Sequence, residues 1–419
     1  MERLLRRFSV PVWQWFIVTG GVALRLLFFA REGWVPLLRG ESVNIAISVV
    51  QNGTFANTYG DNSGPTAHCM PLYPLWQSLL IRIFGTGPEA RYAVAFFSAL
   101  AACIGFSLFP KLAERAGLGR YAGVFAGLLG AFVPFNFFPQ TEGEFETSFT
   151  FLAIVLLLLL WLSVAPPENL GWRRALMFGL ALGVAGLLSA ALLPVLAAWL
   201  LVPFFAAPSN GRRKEWLRFA VPACLIAGVV YAPWVIRNRL ALGAPVLTRS
   251  VFGLSMYQNN NDIAHANVDV DVKSKAWQVM GPFGGSEERA RVRAMGEVAY
   301  NAEKLKLAKE WIQSHRRKFS LLTLERIRTF WFPTMVRPWQ TAGEALVTVL
   351  GLCGMIWGLH RPSHQLAILS FAAAAVYPVV YYIVSNNPRY RFPLEGLLIF
   401  WAGTWLANRK STTVQSHSA

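Results

Sequence analysis

Residues Ala175–Ala206 read ALMFGLALGVAGLLSAALLPVLAAWLLVPFFA, 32 residues without a charge. One bilayer crossing takes ~20 apolar residues, so the stretch is too long for one helix and short for two. Charge decides between them. Suppose Arg3, Arg6 and Arg7 are cytoplasmic. A double crossing then places Lys111, Arg115, Arg120, Arg173, Arg174, Arg212, Arg213, Lys214, Arg218, Arg361, Arg409 and Lys410 on that same side, in short segments. The positive-inside rule requires this distribution. Ala175–Ala206 is therefore expected to cross twice, as two short helices.

Working outward, further spans are expected near Val12–Ala30, Ala93–Phe109, Tyr121–Phe138, Thr147–Val164, Phe219–Trp234, Ala345–His360, Leu366–Val384 and Pro393–Ala407. That makes about ten spans with both ends inside. Pro71–Phe84 is short, carries two prolines and Arg82, and would invert the charge pattern if it crossed. It is expected to lie on the outer interface as an amphipathic helix, with Ser42–Val50 a similar short helix. The expected division is a membrane module over 1–235 that includes an outer loop at 31–92. A large periplasmic loop over 236–341 follows, helical at least over Glu287–Phe330. C-terminal membrane helices (342–407) and a cytoplasmic tail (408–419) complete it. The first apolar run lacks a small-x-small cleavage site and reads as an uncleaved helix.

Composition agrees. Of 419 residues, 54% are hydrophobic and 15% charged, with a net charge of +17. Soluble domains carry ~25% charged residues, and a nucleic-acid binder with this net charge would be richer still in charge. The apolar content excludes disorder, and 4 Cys exclude a disulfide scaffold. What remains of the positive charge, beyond the cytoplasmic segments, forms an outer basic surface suited to lipid phosphate and headgroups. No phosphate loop, dinucleotide fingerprint or serine-hydrolase elbow is present.

Acids are scarce enough to be informative. Glu41 follows Gly40 in the first outer loop. Glu142, Glu144 and Glu146 (TEGEFE) crowd a tiny outer turn, where like charges raise carboxyl pKa values. They read either as a solvated turn or as a general base, a metal ligand or both. Arg389 and Arg391 (NNPRYRFP) lie outside against the charge bias, which suits phosphate binding; the competing reading pairs Arg391 with Glu395. Arg25, late in the first span, is expected to snorkel outward, and Arg237 to cap the seventh span. His68 is a structural residue or a metal ligand. Tyr257, Asn259, Asn260 and Asn261 offer sugar-type hydrogen bonds or ordinary loop chemistry.

Four stretches in this order, GESVNIAISVVQNGTF (Gly40–Phe55), PLYPLWQSLLIRIFG (Pro71–Gly85), PWVIRN (Pro233–Asn238) with the later YQNNN, and RYRFP (Arg389–Pro393), make the chain resemble integral-membrane glycosyltransferases of the C superfamily. It is similar to the bacterial branch related to protein O-mannosyltransferases and aminoarabinose transferases. The resemblance implies an all-α, GT-C-like bundle in the cytoplasmic (inner) membrane with its active site facing the periplasm. It implies a polyprenyl-phosphate sugar donor, an inverting transfer, and a glycan, glycolipid or protein acceptor, with no nucleic acid. Glu41 matches the family's first-loop acid, usually Asp, with one methylene more reach. Glu146, or alternatively Glu144, matches a second acid. Arg389 matches a residue near the lipid phosphate, with Arg391, Tyr390 and Arg237 as further donor-side candidates. His68, Tyr73, Tyr257, Asn259 and Asn260 are substrate-side candidates. Some relatives bind a divalent metal, for which Glu144, Glu146 and His68 are the candidate ligands. The alternative reading, a transporter or flippase of a lipid-linked or anionic substrate, calls for ionisable groups near the midplane; the acids here sit at outer loops.

Overall fold

The computed structural model describes residues 5–31, 40–133, 137–164, 171–206, 209–267, 280–335 and 337–409. Arg3 and the expected tail from Lys410 onward lie outside them. The described residues are helical, joined by turns and two isolated β-bridges.

Each expected span coincides with a helix. Among the described residues, six helices are long and apolar enough to cross a membrane: Val10–Arg31, Pro88–Arg115, Thr147–Val164, Asn210–Leu242, Pro338–Leu359 and His364–Ile383. Four more apolar helices are shorter or carry charge. They are Arg120–Phe132, Trp172–Leu188, Leu192–Ala206 and Pro388–Asn408. Ala175–Ala206 is thus two helices, broken at Ser189–Ala191. Several boundaries differ from expectation; the eighth and last spans, for instance, start earlier, at Pro338 and Pro388. The third span stops at Phe132, and a short helix, Phe138–Thr141, follows it. The seventh is one helix of 33 residues that runs well past Phe219–Trp234 at both ends.

The last helix is the hub. It is buried without a break from Arg391 to Thr404, as a helix apolar all round must be. Pro338–Leu359 and Arg120–Phe132 flank it, and Trp401 donates from Nε1 to Ser370 Oγ at 2.9 Å. Helices Trp172–Leu188 and Asn210–Leu242 approach through small residues. A Cβ on Gly179 would lie 2.5 Å from the carbonyl oxygen of Ala223, a close approach of the small-residue kind that membrane helices use. Arg25 does not snorkel. It is fully buried, and donates to Gln140 Oε1 and to the carbonyls of Gly130 and Ala131. Those carbonyls are the unsatisfied ones at the end of Arg120–Phe132, so the guanidinium serves as that helix's cap.

Leu72–Phe84 turns Leu75, Leu79 and Ile83 outward at one-turn spacing and buries Leu80 and Ile81 against Val43, Ala46 and Val94. This is the expected amphipathic helix. The segment expected to be the second outer one forms Ser286–Met295, Glu297–Ser314 and Arg316–Trp331, with charged faces and a small core of Tyr59, Leu254, Val292 and Tyr300.

Candidate active site

Helix Glu41–Asn52 presents Glu41 at its first position, where the helix N-terminus favours a carboxylate. Ser42 reaches back to hold the carbonyl of Glu144 at 2.7 Å. The turn 142–146 is clamped through its backbone. Arg91 donates to the Glu142 carbonyl, while the Tyr73 hydroxyl (2.7 Å) and Gln77 Nε2 (3.0 Å) donate to that of Gly143. Gly143 has φ 63, and a Cβ there would lie 2.4 Å from Val94, so the turn requires glycine. With the backbone fixed, the three carboxylates diverge. Glu142 and Glu146 line a cavity. Glu144 instead faces Gly40. Burial and the charge of Glu142 raise the Glu144 carboxyl to about 7, against partial relief from Arg91 and Arg389.

The second outer segment closes over this helix. Arg249 donates to the backbone carbonyl of His68, and its Nη2 lies 3.6 Å from Glu41 Oε2. His68 Nε2 is 2.8 Å from the same oxygen, and Nδ1 is 3.1 Å from the Tyr59 hydroxyl. Burial alone would push the Glu41 carboxyl up; His68 and the guanidiniums of Arg249 and Arg389 overcome this and hold it near 2. Behind these groups, buried Glu297 accepts from Thr66, from the amide of Ala67 (2.8 Å) and from Ser250. It thereby ties the segments carrying His68 and Arg249 together.

Arg389 is delivered by the last helix. Asn387 caps that helix, accepting from the Arg389 amide at 3.0 Å, with Pro388 at the first turn as such starts prefer. The guanidinium lies 3.6 Å over the Phe145 ring and 3.5 Å from Glu142 Oε1. Tyr390 stacks on Tyr381 with ring centroids 4.4 Å apart.

These groups share one cavity of about 710 Å³. Glu41, His68, Glu142, Glu146, Arg249, Arg389, Tyr390 and Asn259 line it, together with apolar Phe138, Leu193, Pro194, Val380 and Val384. The sequence reading singled out Glu41, Glu146, His68, Asn259, Arg389 and Tyr390 for this chemistry, and the fold brings them together. Arg249 escaped it, since nothing marks that residue until its loop is placed. Glu142 was seen only as one of a crowded three.

Other candidates stand elsewhere. Arg391 is 1% exposed and pairs with Glu344 at 2.9 Å and Thr348 at 2.9 Å. It is not among the residues that line the cavity. Arg237 donates to the carbonyls of Phe55 and Thr66 and staples the first outer loop, away from the cavity. Tyr73 is buried, with its hydroxyl committed to Gly143. Tyr257 lies under Lys304, whose Nζ is 4.5 Å from the ring centroid. Asn260 is fully buried, bonded to Met256 and Ile383 carbonyls and to Arg326. The residues also do not fit the divalent ion that some GT-C enzymes carry. His68 is taken by Glu41 and Tyr59, and Glu144 faces Gly40. No three His, Cys, Asp or Glu side chains among the described residues converge enough to hold an ion.

No protein-family model and no curated protein matches the chain. A solved structure does. The archaeal oligosaccharyltransferase AglB from Archaeoglobus fulgidus, in complex with an inhibitory peptide and a dolichol-phosphate, superposes with a TM-score of 0.55 over 97% of this chain at 15% identity. The fold is of the GT-C type. The chain spans about half of that oligosaccharyltransferase, 52% of its length. ArnT from Cupriavidus metallidurans bound to undecaprenyl phosphate aligns over 95% of this chain and 80% of its own, at 13% identity and a TM-score of 0.40. The GT-C-type bundle carries its ionic cavity where the first outer loop, the 142–146 turn, the Arg249 segment and the last helix meet.

Proposed function

We propose that the protein is a glycosyltransferase of the cytoplasmic membrane. It moves a sugar from a polyprenyl-phosphate donor to a hydroxyl of a glycan, glycolipid or protein acceptor at the outer face. One observation carries the reading: a single cavity joins an apolar wall to a cluster of carboxylates and two guanidiniums. An isoprenoid chain suits Phe138, Leu193, Pro194, Val380 and Val384, and a phosphate suits Arg389 and Arg249. The Nε of Arg389 is buried without an acceptor among the described residues, a donor available to an anion. A related lipid phosphate, dolichol-phosphate, accompanies the fold neighbour AglB.

In this reading the acceptor oxygen attacks the anomeric carbon as the bond from that carbon to the phosphate oxygen breaks. The lipid phosphate leaves on Arg389 and Arg249, whose charges match what develops on the departing oxygen. The acceptor proton passes to Glu41. A carboxylate held near 2 is a weak base, so proton transfer comes late, when bond formation has made the acceptor oxygen acidic. Attack opposite the departing phosphate inverts the sugar. Turnover by the purified protein with polyprenyl-phosphate-linked hexoses, pentoses and aminopentoses tests the reading. No transfer from any of them, with the protein folded and the donors intact, overturns it.

A further inference from the structure

We propose that Tyr59 and His68 are positioning residues that hold the Glu41 carboxylate in its reactive orientation, an inference that rests on the sugar-transfer reading above. Glu41 has a long, flexible side chain, and its position at the start of a helix does not fix its carboxylate. His68 does. Its Nε2 meets Oε2 at 2.8 Å, and Arg249 approaches the same oxygen at 3.6 Å. Oε2 is thereby held and Oε1 is left for the acceptor proton.

His68 can donate to Glu41 only from a protonated Nε2, and Nδ1 must then find a partner. The Tyr59 hydroxyl stands 3.1 Å from Nδ1. With Tyr59 donating there, the Nε2 proton stays on the Glu41 side. Both residues are sealed, His68 at 1% and Tyr59 at 3% exposure. The Tyr59 ring is itself wedged edge-on against Phe283 (4.9 Å between centroids) in the core formed with Leu254, Val292 and Tyr300. The chain of contacts thus starts in the second outer segment and ends on the candidate base. Burial, with the charges of Glu297 and Glu41, raises the Tyr59 hydroxyl well above its usual range and keeps it a donor.

The test is a two-residue cycle on the full chain in nanodiscs, with the panel donor of highest turnover. Tyr59→Phe keeps the ring and removes the hydroxyl. His68→Gln retains an N–H donor for Glu41 that needs no help from Tyr59, and His68→Leu removes it. Misorientation of a catalytic group costs on the order of 10-fold or more in rate. The expected result is that Tyr59→Phe lowers kcat about 10-fold with donor KM unchanged. His68→Leu should lower it further, and His68→Gln should rescue most of the loss. In the His68→Gln background, Tyr59→Phe should add nothing, whereas a merely structural tyrosine would cost the same in both backgrounds. Wild-type kcat in Tyr59→Phe, or an equal loss in both backgrounds, overturns the relay. If Tyr59→Phe fails to fold, the histidine pair decides: equal kcat in His68→Gln and His68→Leu overturns it. Glu41→Gln in parallel separates the failures. Full turnover there sinks the base assignment, while a dead Glu41→Gln beside a fully active Tyr59→Phe sinks the relay alone.

Discussion

Nη1 of Arg389 lies 3.5 Å from Oε1 of Glu142, joining residues 247 positions apart in the chain. Both side chains line the cavity, and that of Glu142 is 8% exposed. The contact is loose for an ion pair, which leaves the guanidinium able to take a second anion.

Arg389→Ala should therefore raise the donor KM by about 30- to 150-fold, the worth of a charge-assisted contact of about 2–3 kcal/mol. Stability should fall less, although Glu142 loses this contact. Steady-state kinetics against donor concentration check this; an unchanged KM refutes the phosphate role.

Glu41→Gln should lower kcat by about 100-fold or more, the range of a lost general base, while thermal unfolding stays unchanged because the amide oxygen still accepts from His68. A pH prediction accompanies it. With Glu41 held near 2, wild-type turnover should show no acid limb from this group above about pH 3. His68→Leu removes a stabilising donor, so burial lifts the carboxyl. The base then protonates at higher pH, and residual turnover should fall on acidification from pH 6 to pH 4. A flat profile contradicts the assignment.

Glu144 gives stability the opposite slope. Its folded carboxyl, near 7, lies above the ordinary value of 4.5, so the folded state binds the proton more tightly than the unfolded one. Stability from this group is complete below about pH 4.5, declines as pH rises toward 7, and is flat above. Glu144→Gln should remove that slope from unfolding curves between pH 5 and pH 8. The same slope in the variant excludes Glu144 as its source.

Arg391→Ala should destabilise by about 3–5 kcal/mol, because the buried Glu344 loses its cationic partner. A combined Arg391→Met and Glu344→Gln replacement should recover most of that. Donor KM of the double variant should match wild type; a raised KM would place Arg391 in the site after all.

Much of this was legible in the chain. The double crossing of Ala175–Ala206 followed from length and charge, though not the place of its break, and the last helix starts at Pro388, a turn ahead of the expected Pro393. On that helix, Arg389 and Arg391 are two residues apart, about 200° around the axis. Only one can face the cavity, and periodicity alone separates the two without saying which. The three glutamates could not be sorted because their directions depend on Arg91, Tyr73, Gln77 and Ser42, each from another helix. Arg249 and Glu297 were illegible for the same reason: their partners come from the first outer loop, some 180 to 231 positions away.

The helices flanking Ser189 have 17 and 15 residues, about 25 and 22 Å at 1.5 Å per residue, against a hydrocarbon core of ~30 Å. Their junction, Ser189–Ala191, lines the cavity. A bilayer meeting such short helices thins beside them. A leaflet thinned beside this junction would bring lipid headgroups closer to the cavity that Arg389 lines. Membrane thickness thus becomes a kinetic variable: turnover in nanodiscs should fall as acyl chains lengthen, at constant headgroup.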